Sequence, residues 1–131
     1  MLKESRWKQR FTNFERSFRL LEQTAAKAEL NEAERAGLIQ FFEMAFELAR
    51  QTVKDYLQAE GYQVKTPRET LKQAFQIEML EDGHAWMEAL EDRNLTAHTY
   101  DEATSLLVET KIRRNYLPAL TRLYHYLQER L

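Results

Sequence analysis

Only three glycines and two prolines interrupt the 131 residues of this chain, and that scarcity constrains the fold more than any other property. Tight turns draw on those two residue types for their special backbone angles. A fold of many short strands, with a turn every few residues, is therefore disfavoured, and long helices joined by few connections are expected. Side-chain caps then have to mark the helix ends. Asn31-Glu32-Ala33-Glu34 has capping-box spacing and opens a long second helix that should close near Gly61. Thr66-Pro67-Arg68-Glu69 joins a threonine cap to proline at the first helical position, and predicts a short helix to about Met79. The turn Glu81-Asp82-Gly83 leads into a helix carrying Trp86, Met87 and Leu90. Thr99-Tyr100-Asp101-Glu102 repeats the cap spacing, so a final long helix should start there and run almost to Leu131, kinked at Pro118.

Apolar spacing supports the same elements. In residues 3 to 28, Trp7, Phe11, Phe14, Phe18 and Leu21 fall at three- and four-residue steps, one stripe of an amphipathic helix. The second helix carries a broader surface, with Leu38, Phe41, Phe42, Ala45, Phe46, Leu48, Ala49, Val53 and Leu57. It should touch partners on more than one side and form the centre of the bundle. Residues 1–131 thus read as one all-α domain: an antiparallel up-and-down bundle of four main helices plus a short inserted one.

Charge and composition narrow the function. A formal net charge of -2 and a pI near 6.0 argue against duplex DNA binding driven by global charge. The cations Lys3, Arg6, Lys8, Arg10, Arg16 and Arg19 make the first segment basic, and are read first as a solvated helix face. No window approaches the roughly 18 apolar residues of a membrane span, and Met1-Leu2-Lys3-Glu4-Ser5-Arg6 lacks the apolar region of a signal peptide. With no cysteine, disulfides and thiolate metal sites are excluded, and the expectation is a cytoplasmic protein.

Chemistry-bearing residues concentrate in Asp92-Arg93-Asn94-Leu95-Thr96-Ala97-His98-Thr99-Tyr100-Asp101. An arginine fork grips phosphoryl oxygens, an imidazole moves a proton near neutral pH, and a phenol accepts or positions a transferred group. Arg93 and His98 stand five residues apart, about 140° around a straight helix at roughly 100° per residue. To act together they need a loosened helix between Leu95 and His98 or an arginine that swings back. The plain alternative is a helix-terminal pair of cations that satisfies carbonyls and the dipole, with Tyr100 a half-buried aromatic. Asp92 is placed to orient either cation or, with Glu43 and Glu47, to face a partner. Glu43 and Glu47, one turn apart, form an acidic pair facing a partner or cleft, or simply a polar stripe. Glu81-x-x-His84 has the spacing of a di-metal half-site, but neither His98 nor His125 has an acidic residue three positions earlier, so no metal site is expected.

The segment Arg93-Asn94-Leu95-Thr96-Ala97-His98-Thr99-Tyr100-Asp101-Glu102 resembles the signature of HEPN domains, in the branch of nucleotidyltransferase substrate-binding proteins. Arg6-Trp7-Lys8-Gln9-Arg10-Phe11-Thr12-Asn13-Phe14 resembles that family's opening helix, and residues 37 to 49 its central one. Thr66-Pro67-Arg68-Glu69 and Ala85-Trp86-Met87 fall in the expected order. One departure is Arg50-Gln51, where relatives commonly show tryptophan and lysine. The resemblance implies a homodimer paired with a small separate nucleotidyltransferase of the MNT type, often as toxin and antitoxin. It further implies a metal-independent RNase with catalytic roles on Arg93 and His98, Asn94 as polar helper, and silencing by AMP transfer onto Tyr100. No cofactor is implied for this chain; ATP and magnesium belong to the partner. The rival is a noncatalytic subunit that presents a substrate or nucleotide to that partner. A single suitable histidine per chain makes a dimer necessary if His98 serves both proton transfers.

Overall fold

Trp7, Phe11, Phe14, Phe18 and Leu21 are all buried, and they line one side of the first helix, α1 (Lys3–Ala25). They pack on α2 (Glu32–Ala59) and on the carboxyl-terminal helix. The structure is a computed structural model that describes residues 3–96 and 101–131, the side chains of 94–96 excepted. The remaining elements are α3 (Pro67–Gln76), α4 (Gly83–Thr96), α5 (Glu102–Lys111), a π segment (Ile112–Tyr116) and α6 (Leu117–Gln128). Every regular element among the described residues is helical, and the expected all-α bundle is observed. α2 contacts α1, α3, α4, α5 and α6, so it occupies the centre that its broad apolar surface predicted; Phe41 and Leu48 are only half-buried.

Packing supplies most of the stability and the caps choose where helices stop. Burying a phenylalanine or leucine contributes roughly 1.5–3 kcal/mol, against about 1 kcal/mol for a good cap. Tyr124 shows the packing: its ring stacks on Phe18 at 5.0 Å and lies nearly parallel to Phe11 at 5.4 Å. Arg19 covers the same ring at 4.7 Å and donates to its hydroxyl. Asn31 shows the capping: it accepts from the Glu34 amide at 2.8 Å while Glu34 accepts from the Asn31 amide at 2.8 Å.

Two helix ends share one design. At the end of α2, the Tyr62 amide donates to Leu57 and the Gly61 amide to Gln58, with Gly61 at φ +95°. At the end of α3, Met79 donates to Ala74 and Glu78 to Phe75, with Glu78 at φ +62°. Both are Schellman closures, which place a left-handed residue just past the helix. This is why α3 stops at Gln76 and not near Met79: Glu78 takes the role that glycine takes in α2.

The final helix departs from expectation twice. Its cap is Asp101, which accepts from the Thr104 hydroxyl at 2.8 Å and its amide at 3.4 Å; Thr99 lies outside the described residues. Ahead of Pro118, the helix widens into the π segment, where the Leu117 amide donates to Ile112 five residues back. Proline lacks an amide hydrogen and crowds the carbonyl four residues earlier. The apolar stripe makes its own demand. Val108, Ile112, Tyr116 and Leu120 are all buried, yet over that span a regular helix would rotate about 120° past whole turns. One inserted residue absorbs about 100° of that drift and keeps all four on the core.

Candidate functional site

Arg93 sits in the last turn of α4, where a cation is favoured by the carbonyl end of the helix. Its guanidinium reaches across to α2 and lies 3.5 Å from Glu47, with about a third of the side chain (32%) exposed. Glu47 is also held by Arg50, one turn along α2, and accepts from Gln51 at 3.2 Å. Partial burial alone would raise the Glu47 carboxyl. The hydrogen bonds and charges of Arg50, Arg93 and Gln51 outweigh it, and the group lies below the ordinary carboxylate range. Gln51 in turn accepts from Arg10 of α1 at 2.6 Å, and Arg10 pairs with the buried Asp55. A polar row therefore runs along α2 from Asp55 to Glu47 and ends on Arg93.

Within this frame Arg93 and Glu47 come together as a cation and carboxylate at one helix junction. Glu43 is half-buried one turn before Glu47 on α2. Asp92 corrects its expected role. It is 7% exposed, and it accepts from the Tyr116 hydroxyl and from Lys111 at 3.1 Å. It is thus turned into the bundle, tying α4 to the π segment, and does not face a partner. Burial, reinforced by the Asp92 hydrogen bond and charge, raises the Tyr116 phenol far above its ordinary value. The same anchor fixes the backbone that carries Arg93, its neighbour in sequence.

Asn94 belongs to the helical end of α4, though its side chain lies outside the described residues. His98 and Tyr100 also lie outside them. Helix geometry persists through Leu95 and Thr96, so of the two ways for Arg93 and His98 to act together, a helix loosened between Leu95 and His98 is absent from its first two residues. Glu81 pairs with Arg122 at 3.3 Å. Among the described residues no cluster of three histidine, aspartate or glutamate side chains is arranged to hold a metal ion. Sequence reasoning missed Arg10, Gln51 and Asp55 as parts of the row. The available signals were the unusual Arg50-Gln51 pair and the four-residue steps of Glu47, Gln51 and Asp55.

A helical bundle with an arginine-bearing motif at the junction of its central and fourth helices defines a class. The chain belongs to the family described as nucleotidyltransferase substrate binding protein like, which it matches over residues 9–129. Among curated proteins it is similar to the probable ribonuclease HepT of Haemophilus influenzae, at 29% identity over 82 residues, 59% of this chain. That match spans 56% of the relative's own length. Among solved structures it is similar to a crystal structure of a protein from Thermus thermophilus. The two share 28% identity and a TM-score of 0.75, covering 89% of this chain and 97% of the other.

Proposed function

We propose that the chain is the HEPN subunit of a two-component nucleotidyltransferase system, a cytoplasmic homodimer that cleaves single-stranded RNA without a metal ion. The observation that carries this reading is Arg93, partly exposed and held at the end of α4 by Glu47, in a chain whose family and ribonuclease-named relative agree with the motif. In the proposed reaction, one His98 removes the proton of a ribose 2'-hydroxyl, whose oxygen attacks the adjacent phosphorus. The bond to the 5'-oxygen breaks, and the partner protomer's imidazolium protonates that leaving oxygen. The products are a 2',3'-cyclic phosphate and a 5'-hydroxyl. Arg93 neutralises charge on the crowded phosphorane, and Asn94 adds a hydrogen bond.

Silencing follows from charge and volume. The partner nucleotidyltransferase, carrying ATP and magnesium, promotes attack of the Tyr100 oxygen on the α-phosphorus of ATP. The phenolic proton is lost and pyrophosphate leaves. The resulting AMP ester sets an anion beside Arg93 where an RNA phosphate would bind. Purified wild-type protein is expected to cut single-stranded RNA in the presence of a chelator, and His98→Ala to lose that activity while remaining a folded dimer. Cleavage that persists in His98→Ala overturns the assigned mechanism. A wild-type protein that never cleaves, yet binds nucleotide through Arg93, is the substrate-presenting subunit instead. With partner and ATP, the mass of AMP should appear on the wild type and be missing from Tyr100→Phe.

A further inference from the structure

Between α3 and α4 lies an open cleft of about 560 Å³, within the range of small-molecule sites. It stands apart from the Arg93 junction. His84, at its rim, lies about 13.5 Å along the α4 axis from Arg93 and about half a turn around it. Its floor is apolar and closed, made of Leu71, Leu80 and Trp86, all 3% exposed or less. One wall is Phe75, a residue that is 50% exposed.

A Cβ on Gly83 would meet Phe75 Cδ2 at 2.9 Å, so glycine at the start of α4 leaves room for the ring close beside the backbone there. Phe75 thus presents an exposed aromatic surface beside the start of α4. Lys72, Gln76 and His84 line the cleft and no carboxylate does. Among the described residues none of the three side chains carries a hydrogen bond or ion pair, so a cation and further N–H donors are available to an arriving ligand. Lys72 and Gln76 lie on the same face of α3, four residues apart.

A planar face, an apolar floor and unopposed donors complement a ligand that is flat at one end and anionic at the other. We propose that the α3–α4 cleft binds a nucleotide, its base stacked on Phe75 and its phosphate on Lys72, with His84 and Gln76 donating to the remaining acceptors. Base–aromatic stacking tolerates any base. The same chemistry is offered by a free mononucleotide and by one residue of an RNA strand.

The test uses full-length His98→Ala protein, so that RNA survives, and follows the Trp86 indole and Met87 methyl resonances during titration. The probes are AMP and a short single-stranded RNA. Saturable shifts are expected, with Phe75→Leu and Lys72→Ala each weakening binding roughly tenfold or more. Adding Arg93→Ala should leave these shifts unchanged, which separates this site from the one proposed at the motif. Saturation by AMP alone assigns a free nucleotide, and saturation by RNA alone assigns a base within a strand. Either supports the site. It is overturned if neither probe moves Trp86 and Met87, or if Phe75→Leu and Lys72→Ala bind as before.

Discussion

Glu78 and Gly61 occupy the same position in two copies of one motif, and the comparison isolates the cost of a side chain in the left-handed region. At φ +62° Glu78 bears a steric penalty of about 1–2 kcal/mol that glycine escapes, against an entropic cost for glycine of roughly 0.5–1 kcal/mol. Glu78 is exposed, and no hydrogen bond or ion pair of its side chain offsets that penalty among the described residues. Glu78→Gly is therefore expected to raise stability by about 0.5–1 kcal/mol, read as a higher denaturant midpoint with an unchanged slope. A midpoint that falls rejects the strain argument. Residue-scale features of this kind were only half legible in the sequence. The glycine ending at Gly61 is a familiar sign, but a glutamate gives none, because the motif is imposed by burying Met79 and Leu80 and not by the preference of Glu78.

At the scale of elements, the caps at Asn31 and Thr66 were legible because a cap is a local interaction between residues three apart. The π segment was legible in part. Pro118 signalled a disturbance, while its form is written in the successive four-residue steps of Val108, Ile112, Tyr116 and Leu120. The polar row from Asp55 to Arg93 was legible only within α2, where Glu47, Gln51 and Asp55 recur at four-residue steps; Arg10 and Arg93 join it from two other helices, and no local pattern links them to it. If the apolar stripe sets the π segment, Pro118→Ala alone should leave it in place. Removing Asn115 together with Pro118→Ala should convert it to regular α-helix, because the stripe then follows alternating four- and three-residue steps. Backbone chemical shifts across 108–124, with circular dichroism to confirm retained helix, distinguish these outcomes. A π pattern lost in Pro118→Ala would assign the segment to the proline.

For the molecule as a whole, pH acts on opposite kinds of group at the two extremes. Burial and a hydrogen bond to Tyr126 push the Tyr56 phenol up to about 12. Burial with carboxylate hydrogen bonds also raises Tyr116, through Asp92, and Tyr124, through Glu15. An unfolded tyrosine titrates near 10. Stability from these three is fully present below about pH 10 and is lost as pH rises through their folded values. Glu109, held by Arg35 and Arg113, and Glu47 lie below the ordinary range despite the opposing effect of burial. Their contribution is present above about pH 4.3 and is lost as pH falls through their folded values. Tyrosinate absorbance should therefore rise in two stages, the later one coinciding with loss of helix; six tyrosines all ionising near pH 10 in folded protein would contradict this. The central place of α2 has a further consequence. Because it touches all five other α-helices, each of them covers part of the same surface, and detaching any one exposes α2 to water. Among the described residues every other α-helix rests on this one, so breathing at the edges of the bundle is tied to the integrity of α2.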